Sequence, residues 1–435
     1  MRILSHSRFR AGTAAAAGAV LLTGTLAACG SDGPSGSSET LEVWVYQDGS
    51  TRIQAEFAER FNETSDIKVK LTEIPGENYQ ERMRTAMGTP NAPDIFFNWG
   101  GGSISDFVEQ DMLVDLTGIL DSDPDFKDAF IPSILDSGAV NNSHYGIPMR
   151  GVQPVILFYN TELFDQIGAG PPETWDDMLA AVDAFLDEGV TPIALGASDS
   201  WTSMMWLEYL LDREGGPMLW QRIQGGESEA WGDPAVVAMA ETTHELIDTG
   251  AFGPNFLSTD YVNDGASTFF AQGRAAMHLM GSWEYANQLE NQPEFAENSL
   301  GYATFPVIED GSGDAGGVVG NPTNYWSVNS NVQDERLDAA VEFMKLAGSE
   351  EYARALVENG DVPATTGVEE LLDDHVNPEY ARWQYDLVSD ASSFTLSWDQ
   401  ALPARPATAM MSNIERLFSG QLDPQGFSDA MRDVS

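Results

Sequence analysis

The sequence predicts an α/β protein built in two lobes, and three observations carry that prediction. Between residues 41 and 98, runs with the period or continuous apolarity of strands alternate with stretches at helical spacing, the rhythm of a parallel sheet under covering helices. A second series of the same kind opens at Pro154. At 435 residues the chain is long enough for two or three domains with full cores.

The first residues stand outside this fold. Arg2, Arg8 and Arg10 make a positive start, residues 11–22 are a short apolar run, and Leu26-Ala27-Ala28-Cys29 occupies the place of a small-residue cleavage site. That run is too short and too interrupted to span a bilayer. Cys29 is the only cysteine, so it has no internal disulfide partner. The segment resembles a bacterial lipoprotein signal covering residues 1–28, in which Cys29 becomes the lipidated first residue. Residues 29–40, rich in Gly, Ser and Pro at their start, then read as a flexible tether.

Residues 41–46 alternate as a strand, and Gln47-Asp48-Gly49-Ser50 turns out of it. Ile53, Phe57, Ala58 and Phe61 place a helix over 51–62. Residues 67–74 form the next strand, 77–87 a helix, and 94–98 a third strand that runs into Asn98-Trp99-Gly100-Gly101-Gly102. The second lobe begins with a nearly continuous apolar strand over 154–160. Thr174 and Asp177 form a capping box for a helix ending before Gly189, and 190–195 is again a strand. Helices follow over 204–213 and 234–248. Gln272-Gly273-Arg274 then turns into an apolar strand over 275–280, which ends in Gly281-Ser282 with Trp283 directly behind it. Residues 300–307 predict a strand, 311–317 a loop, and 321–326 the approach to a strand over 327–329. Leu337, Ala340, Val341 and Met344 share one face of a helix over 334–347, and helices over 378–388 and 407–418 finish the chain.

Composition removes several functions. With 21 basic against 68 acidic residues the net charge is −47, which excludes nucleic acid or an anionic membrane surface as a direct partner. The mature histidines His144, His244, His278 and His375 are scattered without metal-ligand spacing. No nucleophile elbow and no phosphate loop is present. Gly311, Gly313 and Gly316 match a dinucleotide glycine pattern by letters, but no helix follows them. Asp121, Asp123 and Asp125 hint at a calcium loop, yet Phe126 holds the glycine position and Pro132 the bidentate glutamate position, so a helix or turn start is the better reading. Close carboxylates are expected by chance in so acidic a chain and do not by themselves point to glycoside hydrolysis.

What remains is a set of tryptophans at strand ends: Trp99, Trp201, Trp283, Trp326 and Trp398, each beside Gly, Asn or Asp. One such ring ordinarily covers the end of a sheet. Five in the same role suggest the apolar walls of a carbohydrate cleft, because open α/β sheets bind ligands beyond the carboxyl ends of their strands, and a sugar's C–H face packs on an indole while its hydroxyls stay free.

Four segments carry a family resemblance: the lipobox at 26–29; Pro93-Asp-Ile-Phe-Phe-Asn-Trp99; Gly146-Ile-Pro with Phe158-Tyr-Asn160; and Phe270-x-x-Gly273-Arg-Ala-Ala-Met277 with Gly281-Ser-Trp283. The chain resembles the solute-binding lipoproteins of ATP-binding-cassette sugar importers, the class that includes maltose-binding protein. Gly320-Asn-Pro322 with Asn324-Tyr-Trp326, and Ser397-Trp-Asp-Gln400 before Phe418-Ser-Gly-Gln421, are most similar to the actinobacterial branch that binds xylobiose and related β-oligosaccharides. The resemblance implies a two-lobed α/β fold of the periplasmic-binding-protein type II, with crossings near 149–152 and 326–329. Lobe one would hold 41–148 and 327–374, lobe two 149–326 and 375–435. It implies an interlobe ligand site drawing on Gln47, Asp48, Asn98, Trp99, Arg150, Gln153, Trp201, Trp283, Asn324, Trp326, Trp398 and Asp399, with a structural ion pair as the alternative role of Arg150. It further implies a monomeric, non-catalytic receptor without cofactor or metal. Such a receptor binds an oligosaccharide, delivers it to membrane permease subunits, and touches the membrane only through its lipid. An anchored glycoside hydrolase and a receptor for another polar solute are the rival readings.

Overall fold

The strand Thr40–Tyr46 buries every second side chain, so one face meets a core and the other a partly covered surface. In the computed structural model, which describes residues 39–76, 79–313 and 315–434, this strand is near the centre of a five-stranded sheet. The expected export segment, Cys29 and the expected tether up to Ser38 lie outside the described residues. Lys68–Ile74 and Ile95–Asn98 flank Thr40–Tyr46 in parallel. Tyr325–Val328 then pairs antiparallel with Ile95–Asn98, and Ile147–Pro148 closes the edge.

The second sheet is centred on Gln153–Asn160 and Ala275–Gly281, paired antiparallel so that Phe158 faces His278. All seven residues of Ala275–Gly281 are buried, as its unbroken apolar run requires. Thr191–Ala194 lies parallel on its far side. On the other edge of Gln153–Asn160, Leu300–Ala303 and Gly317–Asn321 both pair antiparallel, and Ser393–Leu396 extends the latter. Each sheet carries its own apolar core, one built around Val43, Ile95 and Phe97, the other around Leu157, Met277 and Leu210.

Local chemistry follows the sequence closely at the helix ends. Thr174 and Asp177 form the reciprocal capping box before the helix Trp175–Asp187, and Asp123 accepts from the Phe126 amide at the start of Pro124–Asp128. Gly311 and Gly313 have a structural duty. A Cβ on either would fall about 2 Å from the backbone oxygens of Arg213 and Asp212, so the loop lies directly on the end of the helix Ser200–Gly215.

Three expectations need correction. The predicted strand over 327–329 is Tyr325–Val328 and already belongs to the first sheet, so the second crossing is at residues 322–324 rather than 326–329. The helix expected over 204–213 begins at Ser200, which puts Trp201 in its first turn instead of a preceding loop. The strand Gly317–Asn321 falls between the loop expected over 311–317 and the strand approach expected from 321, where no element was expected, because its glycines carry no side-chain periodicity.

The two crossings are tied together. The Thr323 hydroxyl donates to the Arg150 carbonyl at 2.8 Å, and the Met149 amide donates to the Asn324 carbonyl at 2.8 Å. A third small core, with Val152, Val357, Val362, Leu372 and Tyr385, packs beside them.

Inside the second core lies an acid. Glu208 is buried, and its carboxyl accepts from the Trp398 amide at 2.7 Å, which holds the turn before Trp398–Ala401. Burial raises its pKa to about 8, the Trp398 amide works the other way, and nearby Asp399 adds to the rise. A carboxyl whose pKa rises on folding binds more protons in the folded than in the unfolded chain between about 4.5 and 8. Its contribution is therefore complete below that window and is lost as pH rises through it. Urea unfolding from pH 4.5 to 8 should show falling stability, and Glu208→Gln should make the decline shallower by a few kcal/mol; parallel curves would refute this role.

Candidate functional site

Aromatic side chains gather where the strands of the first sheet end. Tyr46, the last residue of its strand, stacks on Phe97 with centroids 5.4 Å apart. The Trp99 ring meets Phe97 edge-on at 4.9 Å, and both Tyr46 and Tyr79 at under 6 Å. Trp99 remains half-buried. Asn98 is committed to holding this corner: its amide donates to Ser327 Oγ at 2.8 Å and its carbonyl accepts from the Gly100 amide at 2.9 Å. A cavity opens here whose walls include Tyr79, Trp99 and Phe107 from the first lobe and Asp399, Ala407 and Met411 from the C-terminal segment. Burial pushes Asp399 up to about 6, against a hydrogen bond from Gln400. The Gln80 amide reaches Gln400 at 3.3 Å, and a Cβ on Gly102 would be 2.5 Å from the Ala401 carbonyl, so the first lobe presses directly on the C-terminal turn.

A second aromatic group stands at the end of Ala275–Gly281. Trp283 opens the helix Trp283–Asn291, and its ring folds back over Gly281, where a Cβ would lie 2.1 Å from the indole. Trp201 is 6.2 Å from Trp283 at 51°, and Tyr261 meets Trp201 edge-on at 5.2 Å. Trp201, Trp283 and Tyr261 are all half-buried, the exposure a stacking surface needs.

The first crossing joins the two groups. Arg150 is 3% exposed and pairs with Asp48, its other terminal nitrogen reaching the Tyr46 carbonyl at 3.3 Å. Two residues on, the Val152 carbonyl accepts from Ser282 Oγ at 3.2 Å, immediately before Trp283. Asp361 completes the cluster, accepting from Ser50 Oγ at 3.2 Å and the Asn359 amide at 2.7 Å. Burial raises the Asp361 pKa, while the Asn359 amide and Arg150 draw it down. Neighbouring Gly360 approaches Ala286 of the Trp283 helix; a Cβ on it would be 3.7 Å from that of Ala286.

Of the expected site residues, Asp48 pairs with Arg150, Trp99 and Asp399 line one cavity, and Trp201 stands beside Trp283. Gln47 is exposed at the turn after the first strand, Gln153 is half-buried at the start of the central strand, and Asn324 is buried in the second crossing. Two tryptophans go elsewhere. Trp326 sits mid-strand with its ring in the first core against Phe343, 2% exposed. Trp398 has no exposed surface: Trp220 stacks on it at 4.7 Å and 12°, and Trp231 meets its edge at 5.8 Å. Neither ring offers a face to a ligand, which corrects the expectation for both. Sequence reading passed over Tyr46, Tyr79, Tyr261 and Asp361. Tyr46 alone carried a usable signal, since it ends a strand just ahead of a polar turn.

Among the described residues, no group of three or more His, Cys, Asp or Glu side chains could hold a metal, and no helix is long and apolar enough to cross a membrane.

An uncharacterized ABC transporter extracellular-binding protein of Pyrococcus horikoshii is 25% identical over 253 residues, 56% of this chain and 56% of that protein. The chain therefore spans about half the length of that relative. The diacetylchitobiose binding protein of Streptomyces coelicolor is 26% identical over 377 residues, 82% of this chain and 83% of its own. A structure solved in work on xylan utilization by the thermophilic bacterium Caldanaerobius polysaccharolyticus superposes with a TM-score of 0.79 at 26% identity, covering 91% of this chain and 99% of that one. The fold is that of the two-lobed periplasmic solute-binding proteins. A family model for bacterial extracellular solute-binding proteins matches residues 46–354, and with that extent of agreement the chain belongs to this family.

Proposed function

We propose that this protein is the substrate-binding component of an ABC importer, a non-catalytic, monomeric receptor that captures a short oligosaccharide outside the cell and hands it to a membrane permease. The observation that carries the reading is the pair of half-buried aromatic groups, Trp99 with Tyr46 on one side and Trp283 with Trp201 on the other, linked by the Arg150 crossing. Rings held at that exposure supply apolar burial to a pyranose face, and the polar groups between them read hydroxyl positions. An unmatched buried hydroxyl costs about 1–3 kcal/mol, enough to reject an epimer. Contacts available only when both groups meet the sugar would draw the lobes together. Two relatives point to β-linked sugars: one is named for diacetylchitobiose, and another was solved in a study of xylan utilization. We take xylobiose as the first ligand to test. Cys29 carries the lipid that holds the protein at the membrane's outer face.

Calorimetry of residues 30–435 against xylobiose, cellobiose, chitobiose and maltose should find one strong ligand, with no product formed on incubation. Trp283→Ala should weaken that ligand roughly 30-fold, about 2 kcal/mol, whereas Trp326→Phe should lower stability and leave affinity within about twofold. Equal losses in the two variants would contradict the placement of the binding faces.

Electrostatics narrows the ligand further. Arg150 is already paired with Asp48, Asp361 adds a carboxylate beside them and Asp399 lines the cavity at Trp99, so an anionic sugar meets net like charge. A xylo-oligosaccharide bearing glucuronic acid should bind at least ~10-fold more weakly than its neutral counterpart, with the gap shrinking at high salt. The anchor has its own check. Cys29→Ala should release the protein into the medium and abolish incorporation of labelled palmitate, and continued membrane retention would rule the anchor out.

A further inference from the structure

The serine that opens the Trp283 helix does not cap it. Ser282 stands at the N-cap, where a serine hydroxyl ordinarily accepts from an amide of the first turn, yet it makes no such bond. Its Oγ donates instead to the Val152 carbonyl of the first crossing, at 3.2 Å. A local rule set aside in this way points to a functional constraint. We propose that Ser282, together with Tyr380 and Gln384 of a neighbouring helix, forms a clamp that positions the Trp283 indole for the ligand. The inference deepens the sugar-stacking reading and rests on it.

All three polar groups of Ser282 are held from outside its own helix. The amide donates to the Pro154 carbonyl at 2.8 Å, the hydroxyl engages Val152, and the carbonyl accepts from the Tyr380 hydroxyl at 3.2 Å. That carbonyl belongs to the planar peptide unit that also contains the Trp283 nitrogen, so fixing its direction fixes the plane from which Trp283 leaves the sheet. On the strand side, Gly281 is in register with Val155, and the indole folds back over it. Trp283 is therefore defined by the two residues before it.

Tyr380 and Gln384 are four residues apart on the helix Pro378–Ser389 and share one of its faces. Both are buried. The Gln384 amide donates at 3.0 Å to the same Val152 carbonyl that Ser282 uses, so both acceptor sites of that oxygen are filled. The Tyr380 ring stacks on Tyr285, in the first turn of the Trp283 helix, at 4.1 Å and 17°. Ala381 and Tyr385 of the same helix enter the third small core with Val152. One helix thus holds the Ser282 carbonyl, the carbonyl that receives the Ser282 hydroxyl, and the first turn behind the indole.

Tyr380→Phe removes one hydroxyl and keeps the ring on Tyr285, while Ser282→Ala removes one hydroxyl and leaves the backbone bonds in place, so both spare the fold. With the tryptophans replaced by 5-fluorotryptophan, the Trp283 fluorine resonance, assigned with Trp283→Phe, should be single and narrow in the otherwise wild-type protein. Each variant should broaden or split it and weaken sugar binding about 10-fold. The resonance of the core ring Trp326, assigned with Trp326→Phe, should stay where it is, which a general loosening of the fold would not allow. An unchanged Trp283 resonance and unchanged affinity in both variants, beside lost affinity in Trp283→Ala, would overturn the positioning role and leave the sugar reading standing. Weaker binding with an unmoved Trp283 resonance would overturn it too. A wild-type protein that titrates with no sugar would overturn the sugar reading, and with it the purpose assigned to the clamp.

Discussion

The architecture depends on how one guanidinium is accommodated. Arg150 sits in the crossing between two sheets, almost without solvent, where an unpaired charge is strongly unfavourable. Its side chain answers that demand by reaching the turn after the first strand, at Asp48 and the Tyr46 carbonyl, and lies 5.7 Å over the Phe97 ring. Its backbone carbonyl meanwhile receives Thr323 from the other crossing. A single residue therefore couples the end of the first strand, both chain passages and, through Val152 and Ser282, the start of the Trp283 helix. The bonds that satisfy the charge are thus also ones that tie the two chain passages to the first strand.

The same logic of satisfaction explains which aromatic rings stay available. Trp326 alternates with Tyr325 along a strand covered on both faces, so its ring has only a core to enter. Trp398 is held by Glu208 at the start of a short helix and turned inward onto Trp220. Trp99 and Trp283 instead come one or two residues after a strand has ended, at Asn98 and Gly281, where the sheet no longer covers them. Gly281 matters for steric reasons, since any side chain there would displace the indole that lies over it. A buried acid supports the hidden placement: Glu208 accepts from the Trp398 amide beneath the enclosed ring.

Much of the fold was legible in the chain. Period-two and apolar runs marked the strands of both sheets, capping residues such as Thr174 and Asp123 marked helix starts, and Gly-Ser-Trp after an apolar strand pointed to a surface at a sheet end. Strands without such patterning were not legible. Gly317–Asn321 exists because Gln153–Asn160 and Ser393–Leu396 flank it, not because its own residues favour a strand. The candidate site was legible only in part, because every tryptophan at a strand end looks alike in one dimension. Trp283 and Trp398 are both followed by an acid and preceded by a serine, yet one ring is half-exposed and the other enclosed.

That contrast separates the two sources of information. Periodicity and end caps are properties of residues and near neighbours, so the class of fold could be read without coordinates. The partners of Arg150, the enclosure of Trp398 by Trp220 and Trp231, and the convergence of Tyr261, Ser267 and Gln288 on Glu284 came only with the packed structure. Those contacts join residues far apart in the chain, and no local pattern encodes which distant group will satisfy a buried charge.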